Sequence, residues 1–78
     1  MRERILVVED DPAILTGLAD LLESEGYAVE TARSGTSALE LFRQSSPDLV
    51  LLDVMIPGKN GYDVCREIRA SDRVTPVV

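Results

Sequence analysis

Ile5-Leu6-Val7-Val8 and Leu49-Val50-Leu51-Leu52 are two apolar runs without alternation, and each ends on acid. The first runs into Glu9-Asp10-Asp11 and the second into Asp53. Four apolar residues in a row predict a strand buried on both faces, as in a parallel sheet. After the first run the pattern changes to a helical one. Asp11-Pro12 predicts an N-cap followed by proline at the first helical position. Ile14, Leu15, Leu18, Leu21 and Leu22 then mark one buried face, and Gly26 predicts the end of the helix. Tyr27 to Ala32 is expected as a second strand. Ser34-Gly35-Thr36 opens a second helix, with Ala38, Leu39, Leu41 and Phe42 on its apolar face, and Ser45-Ser46-Pro47 closes it. The third strand is Leu49 to Leu52. Pro57-Gly58-Lys59-Asn60-Gly61 is a loop of turn residues. A third helix turns Tyr62, Val64, Cys65 and Ile68 inward, and Val74 to Val78 begins a fourth strand.

Strand and helix thus alternate three times before the partial strand. That order implies right-handed crossovers and an α/β fold with helices on both faces of a parallel sheet. Ligands of such sheets bind beyond the carboxyl ends of the strands, where both acidic runs fall. Carboxylates gathered there suit a hard cation and a phosphoryl group.

Composition narrows the chemistry. Seventy-eight residues make at most one small domain, and a chain of this size buries only about 60–65% of its unfolded surface. A net charge of −6 argues against gripping nucleic acid, which needs clustered Lys and Arg. It suits cation binding as well as plain solubility. The chain has no histidine, which removes the commonest general base and rules the chain out as a histidine phosphodonor. A single cysteine, Cys65, cannot form an internal disulfide, and with no histidine beside it argues against a zinc site. The amino terminus lacks a signal-peptide pattern, and no apolar stretch approaches the roughly 18–20 residues of a membrane helix. A cytoplasmic location, away from membranes, is expected.

Ile5-Leu6-Val7-Val8-Glu9-Asp10-Asp11, Asp48-Leu49-Val50-Leu51-Leu52-Asp53-Val54-Met55-Ile56-Pro57-Gly58 and Asn60-Gly61-Tyr62 together resemble the receiver domain of two-component response regulators. The resemblance covers essentially residues 1–78. It implies a flavodoxin-like sheet of order 2-1-3-4-5, in which strands 1 and 3 are neighbours. It further implies that Asp53 is the phosphoacceptor. Glu9, Asp10, Asp53 and the backbone carbonyl of Met55 would hold Mg²⁺, with a histidine kinase as the partner. The physical argument agrees: three adjacent carboxylates repel one another unless a cation sits among them, and an aspartate nucleophile needs a neutralised phosphoryl group.

Other residues have plainer roles. Asp11 is better read as a helix cap than a ligand. Lys59 is a solvated loop charge, Cys65 is core, and Ile56-Pro57 is loop scaffolding. The family's hydroxyl residue at the end of strand 4 and its lysine at the end of strand 5 would lie beyond Val78. Thr75 opens strand 4, near the opposite edge of the sheet at about 3.3 Å per residue, and does not replace the hydroxyl. The expectation is therefore an incomplete receiver: strands 1 to 3, the start of strand 4, three helices, and impaired phosphorylation. Part of the stripe Ile14, Leu18, Leu21, Leu22 should lie exposed, with self-association as the repair. The alternative is a receiver-like module that acts through association alone. An independent Mg²⁺ phosphohydrolase would need an acid two residues after its nucleophile, where this chain has Met55. No Gly-x-Gly-x-x-Gly follows the first strand, which excludes dinucleotide binding.

Overall fold

The computed structural model describes residues 3–52 and 61–71, with only the backbone at residues 61, 62, 70 and 71. The elements run β1 (Arg4–Val8), α1 (Pro12–Ser24), β2 (Ala28–Ala32), α2 (Gly35–Ser45), β3 (Leu49–Leu52) and α3 (Gly61–Ser71). The turn at 57–60 and the strand expected at Val74–Val78 lie outside the described residues.

The three strands are parallel in the order β2-β1-β3. This is the part of the 2-1-3-4-5 order that residues 3–52 can display. β1 is central, which explains its unbroken apolar run. Its odd residues Ile5 and Val7 pack with Leu15 of α1, with Leu18, Leu22, Tyr27, Val29, Leu49 and Leu51 around them. Its even residues Leu6 and Val8 join Ala32, Val50, Ala38, Leu39, Phe42, Val64 and Ile68 under α2 and α3. Alternate side chains of a strand point to opposite faces, so one run of four residues serves two cores.

Local chemistry sets the element ends. Gly26 has φ 96°, a left-handed conformation that favours glycine. Its N–H donates to Glu23 O (3.0 Å), and the Tyr27 N–H donates to Leu22 O (3.2 Å). That pair of bonds is a Schellman closure. It takes the Tyr27 N–H, so β2 starts at Ala28 and not at Tyr27. Ser34 caps α2 by accepting the Ser37 N–H at 3.2 Å, and Ser46 ends it at φ 48°. β1 begins one residue before its apolar run because Arg4 pairs with Ala28 of β2, and Asp48, just before β3, holds it from the other side. The Arg4 N–H donates to Asp48 Oδ2 (2.8 Å), and the Asp48 N–H donates to Arg4 O (2.7 Å). The Arg4 guanidinium also donates to Ser45 O at 2.6 Å.

The two faces are covered unequally. Val50 of β3 and Val64 and Ile68 of α3 are fully buried in the core between the sheet and the helices α2 and α3. On the other face, where α1 is the described cover, Leu49 and Leu51 are half-buried. Ile14 is 50% exposed and Leu21 59%, so part of the α1 stripe is open as expected. Cys65 departs from expectation: it is half-buried at the margin of α3, while Val64 and Ile68 carry that helix's contact with the core. The side chain of Tyr62 lies outside the described residues.

Candidate functional site at the carboxyl edge of the sheet

The acidic run leaves β1 at its carboxyl end and turns directly into α1. Pairing with β2 carries one step past the strand, where the Glu9 N–H donates to Ala32 O at 3.0 Å. Glu9 is half-buried and Asp10 exposed. Asp11 then closes the turn. Its N–H donates to Glu9 Oε1 (3.2 Å), and its own Oδ1 accepts from Ala13 N (2.9 Å) and Ile14 N (3.3 Å). Asp11 is therefore the N-cap of α1, with Pro12 in the first turn where no N–H is needed. Capping occupies the Asp11 carboxylate and orients the run, with the exposed Asp10 between Glu9 and Asp11.

β3 ends at the same edge of the sheet as β1. Val8 pairs with Leu52 in the parallel register, so the last residue of each apolar run lies beside the other. Asp53 and Met55 follow Leu52 in the sequence and lie outside the described residues. Among the described residues, no three metal-ligating side chains gather into one group. Asp48, which belongs to the same sequence motif, sits at the opposite end of β3 and secures Arg4.

Arg33 is a residue at this edge that the sequence pattern did not single out. It follows the last residue of β2, and its guanidinium donates to the backbone oxygen of Asp10 at 3.4 Å. The only available signal was position: a cation directly after the strand that flanks β1. Recognising it required knowing that β1 and β2 are neighbours.

The response regulator receiver domain family matches residues 5–78. The chain belongs to that family. This receiver is 50% identical to the DNA-binding response regulator MtrA of Mycolicibacterium smegmatis over 78 residues, which is 100% of this chain and 34% of that protein. It thus spans about a third of the length of the curated relatives it matches. It superimposes on the Thermotoga maritima response regulator TrrA, crystallised in complex with Mg²⁺-BeF, with a TM-score of 0.87 and 44% identity. That match covers 91% of this receiver and 62% of the TrrA chain. A crystal structure of the histidine kinase ThkA in complex with TrrA also matches, with a TM-score of 0.89 and 41% identity over 96% of this receiver and 65% of that chain.

Among the described residues, no helix of this receiver is long and apolar enough to cross a membrane.

Proposed function

We propose that this receiver accepts a phosphoryl group from a histidine kinase onto Asp53, with Mg²⁺ held by Glu9, Asp10, Asp53 and the backbone carbonyl of Met55. The observation that carries the reading is the parallel pairing of β1 with β3, Val8 beside Leu52. Two acidic runs separated by more than forty residues of sequence thereby follow adjacent strand ends. Carboxylate and carbonyl oxygens are the donor set that Mg²⁺ prefers, and Asp10 is exposed to receive it. The structures of TrrA with Mg²⁺-BeF and with ThkA support the same metal, a phosphoryl-like group and the same kind of partner.

In this reading an Asp53 carboxylate oxygen bonds to phosphorus as the donor's N–P bond breaks. The electron pair and a proton stay with the departing imidazole, and an acyl phosphate remains. Bound Mg²⁺ supplies the positive charge that offsets the crowded anions. Glu9 and Asp10 hold that charge at the carboxyl edge, and the Asp11 cap fixes the direction in which they leave β1.

The test is thermal unfolding in Mg²⁺ against Na⁺ at matched ionic strength. A ligand that binds only the folded state adds RT ln(1 + [L]/Kd), about 2.7 kcal/mol at one hundred times Kd. Stabilisation specific to Mg²⁺ and lost in Asp10→Ala is the expected result. Equal midpoints in the two salts, or a gain that persists in Asp10→Ala, would remove the site. A second reading, association of two copies without phosphoryl transfer, draws on the exposure of Ile14 and Leu21.

A further inference from the structure

We propose that Arg33 is a positioning residue for the metal site, holding the Asp10 backbone so that the acidic pair leaves β1 in a form able to bind a divalent cation. This inference rests on the metal-site reading above. The run Glu9-Asp10-Asp11 is held through both its backbone and its side chains. Glu9 is tied to β2 through Ala32 O at 3.0 Å. Asp11 is tied to α1, where its carbonyl accepts the Leu15 N–H at 2.9 Å and its carboxylate caps the helix. The Asp11 N–H braces Glu9 Oε1 at 3.2 Å. Between these anchors, the contact described for the Asp10 main chain is the guanidinium of Arg33, 3.4 Å from its carbonyl oxygen. Arg33 reaches Asp10 from 23 residues along the chain.

The location of this cation is otherwise unfavourable. A positive charge beside a cation site repels the cation, so electrostatics alone makes Arg33 a handicap to metal binding. A planar guanidinium directed at a carbonyl also orders the chain that carries the ligand, and losing such a support costs metal affinity. The two effects have opposite signs, which makes the proposal decidable. If repulsion dominates, removing Arg33 tightens metal binding, and the change fades as salt screens the charge. If positioning dominates, removal weakens binding at low and high salt alike.

The experiment is a Mn²⁺ titration of the protein, read by the electron paramagnetic resonance signal of the free ion, at two ionic strengths. It compares the parent with Arg33→Ala, Arg33→Lys and Asp10→Ala, and records each variant's metal-free unfolding midpoint. The expected result is about three- to tenfold weaker binding in Arg33→Ala at both ionic strengths, with the metal-free midpoint unchanged. Arg33→Lys, which keeps a donor and a charge, should recover part of that affinity. Unchanged or tighter binding in Arg33→Ala overturns the inference. So does Arg33→Lys binding as weakly as Arg33→Ala, or a loss of affinity matched by a fall in the metal-free midpoint. Asp10→Ala separates the two levels. If it binds Mn²⁺ as well as the parent, the metal site itself is wrong and the inference falls with it. If Asp10→Ala loses binding while Arg33→Ala does not, the site stands and only the role of Arg33 is lost.

Discussion

Replacing Asp11 separates a helix cap from a metal ligand, two roles that an acid at this position is able to fill. Its Oδ1 accepts two N–H groups, Ala13 at 2.9 Å and Ile14 at 3.3 Å. Both belong to the first turn of α1, where four donors lack intrahelical partners and Pro12 has already removed one of them. In Asp11→Ala those two donors turn to water, because the turn is exposed. The cost is that of losing a cap, about 1 kcal/mol within a range of ~0.5–2. In a domain of this size it corresponds to a fall of about 4–8 °C in Tm. Asp11→Asn keeps the accepting oxygen and should stay within a few tenths of a kcal/mol of the parent. Urea unfolding followed by far-ultraviolet circular dichroism measures both variants, and the Mg²⁺-dependent gain should be the same in each. A neutral Asp11→Ala would show that the cap is not formed in solution. An Asp11→Asn as costly as Asp11→Ala would show that charge, and not the hydrogen bond, is what matters. Loss of the Mg²⁺ gain in Asp11→Asn would make Asp11 a ligand.

Two further outcomes follow from the packing. Leu6 is fully buried on the central strand, under α2 and α3, so Leu6→Ala should cost about 2–5 kcal/mol, enough to unfold a marginal domain in a urea titration; a loss below 1 kcal/mol would mean that this face repacks freely. Ile14 and Leu21 are half or more exposed, so the double variant Ile14→Gln, Leu21→Gln should leave the unfolding midpoint nearly unchanged. If copies associate through α1, the same variant lowers the apparent mass in light scattering at high concentration, and an unchanged mass would remove that second reading.

Much of the fold could be read from the sequence because it is written locally. The unbroken apolar runs gave β1 and β3, and the Asp11-Pro12 and Ser34-Gly35 pairs gave the helix starts to within one residue. Gly26 marked the end of α1, and its left-handed φ is the reason. The boundaries that moved were set by contacts with no local signature. Tyr27 is lost from β2 because its N–H closes α1, and Arg4 joins β1 because it pairs with Ala28 of β2. The site divides in the same way. Glu9 and Asp10 stood out as acids at a strand end. Their closeness to the end of β3 depends on the β2-β1-β3 order, which the alternation of elements leaves open and the resemblance supplied. Arg33 stayed hidden for the same reason, since a cation after one strand has meaning only once that strand's neighbour is known.

The central claim is that Asp53 is the phosphoacceptor and that the acidic pair after β1 serves it through Mg²⁺. Intact-mass analysis after treatment with a small phosphoramidate-type donor tests this most directly, with and without Mg²⁺, in the parent, Asp53→Asn and Asp10→Ala. The account predicts addition of a single phosphoryl group that requires Mg²⁺, is slowed in Asp10→Ala and is absent in Asp53→Asn. Labelling that survives in Asp53→Asn, or that proceeds equally well without Mg²⁺, would contradict it.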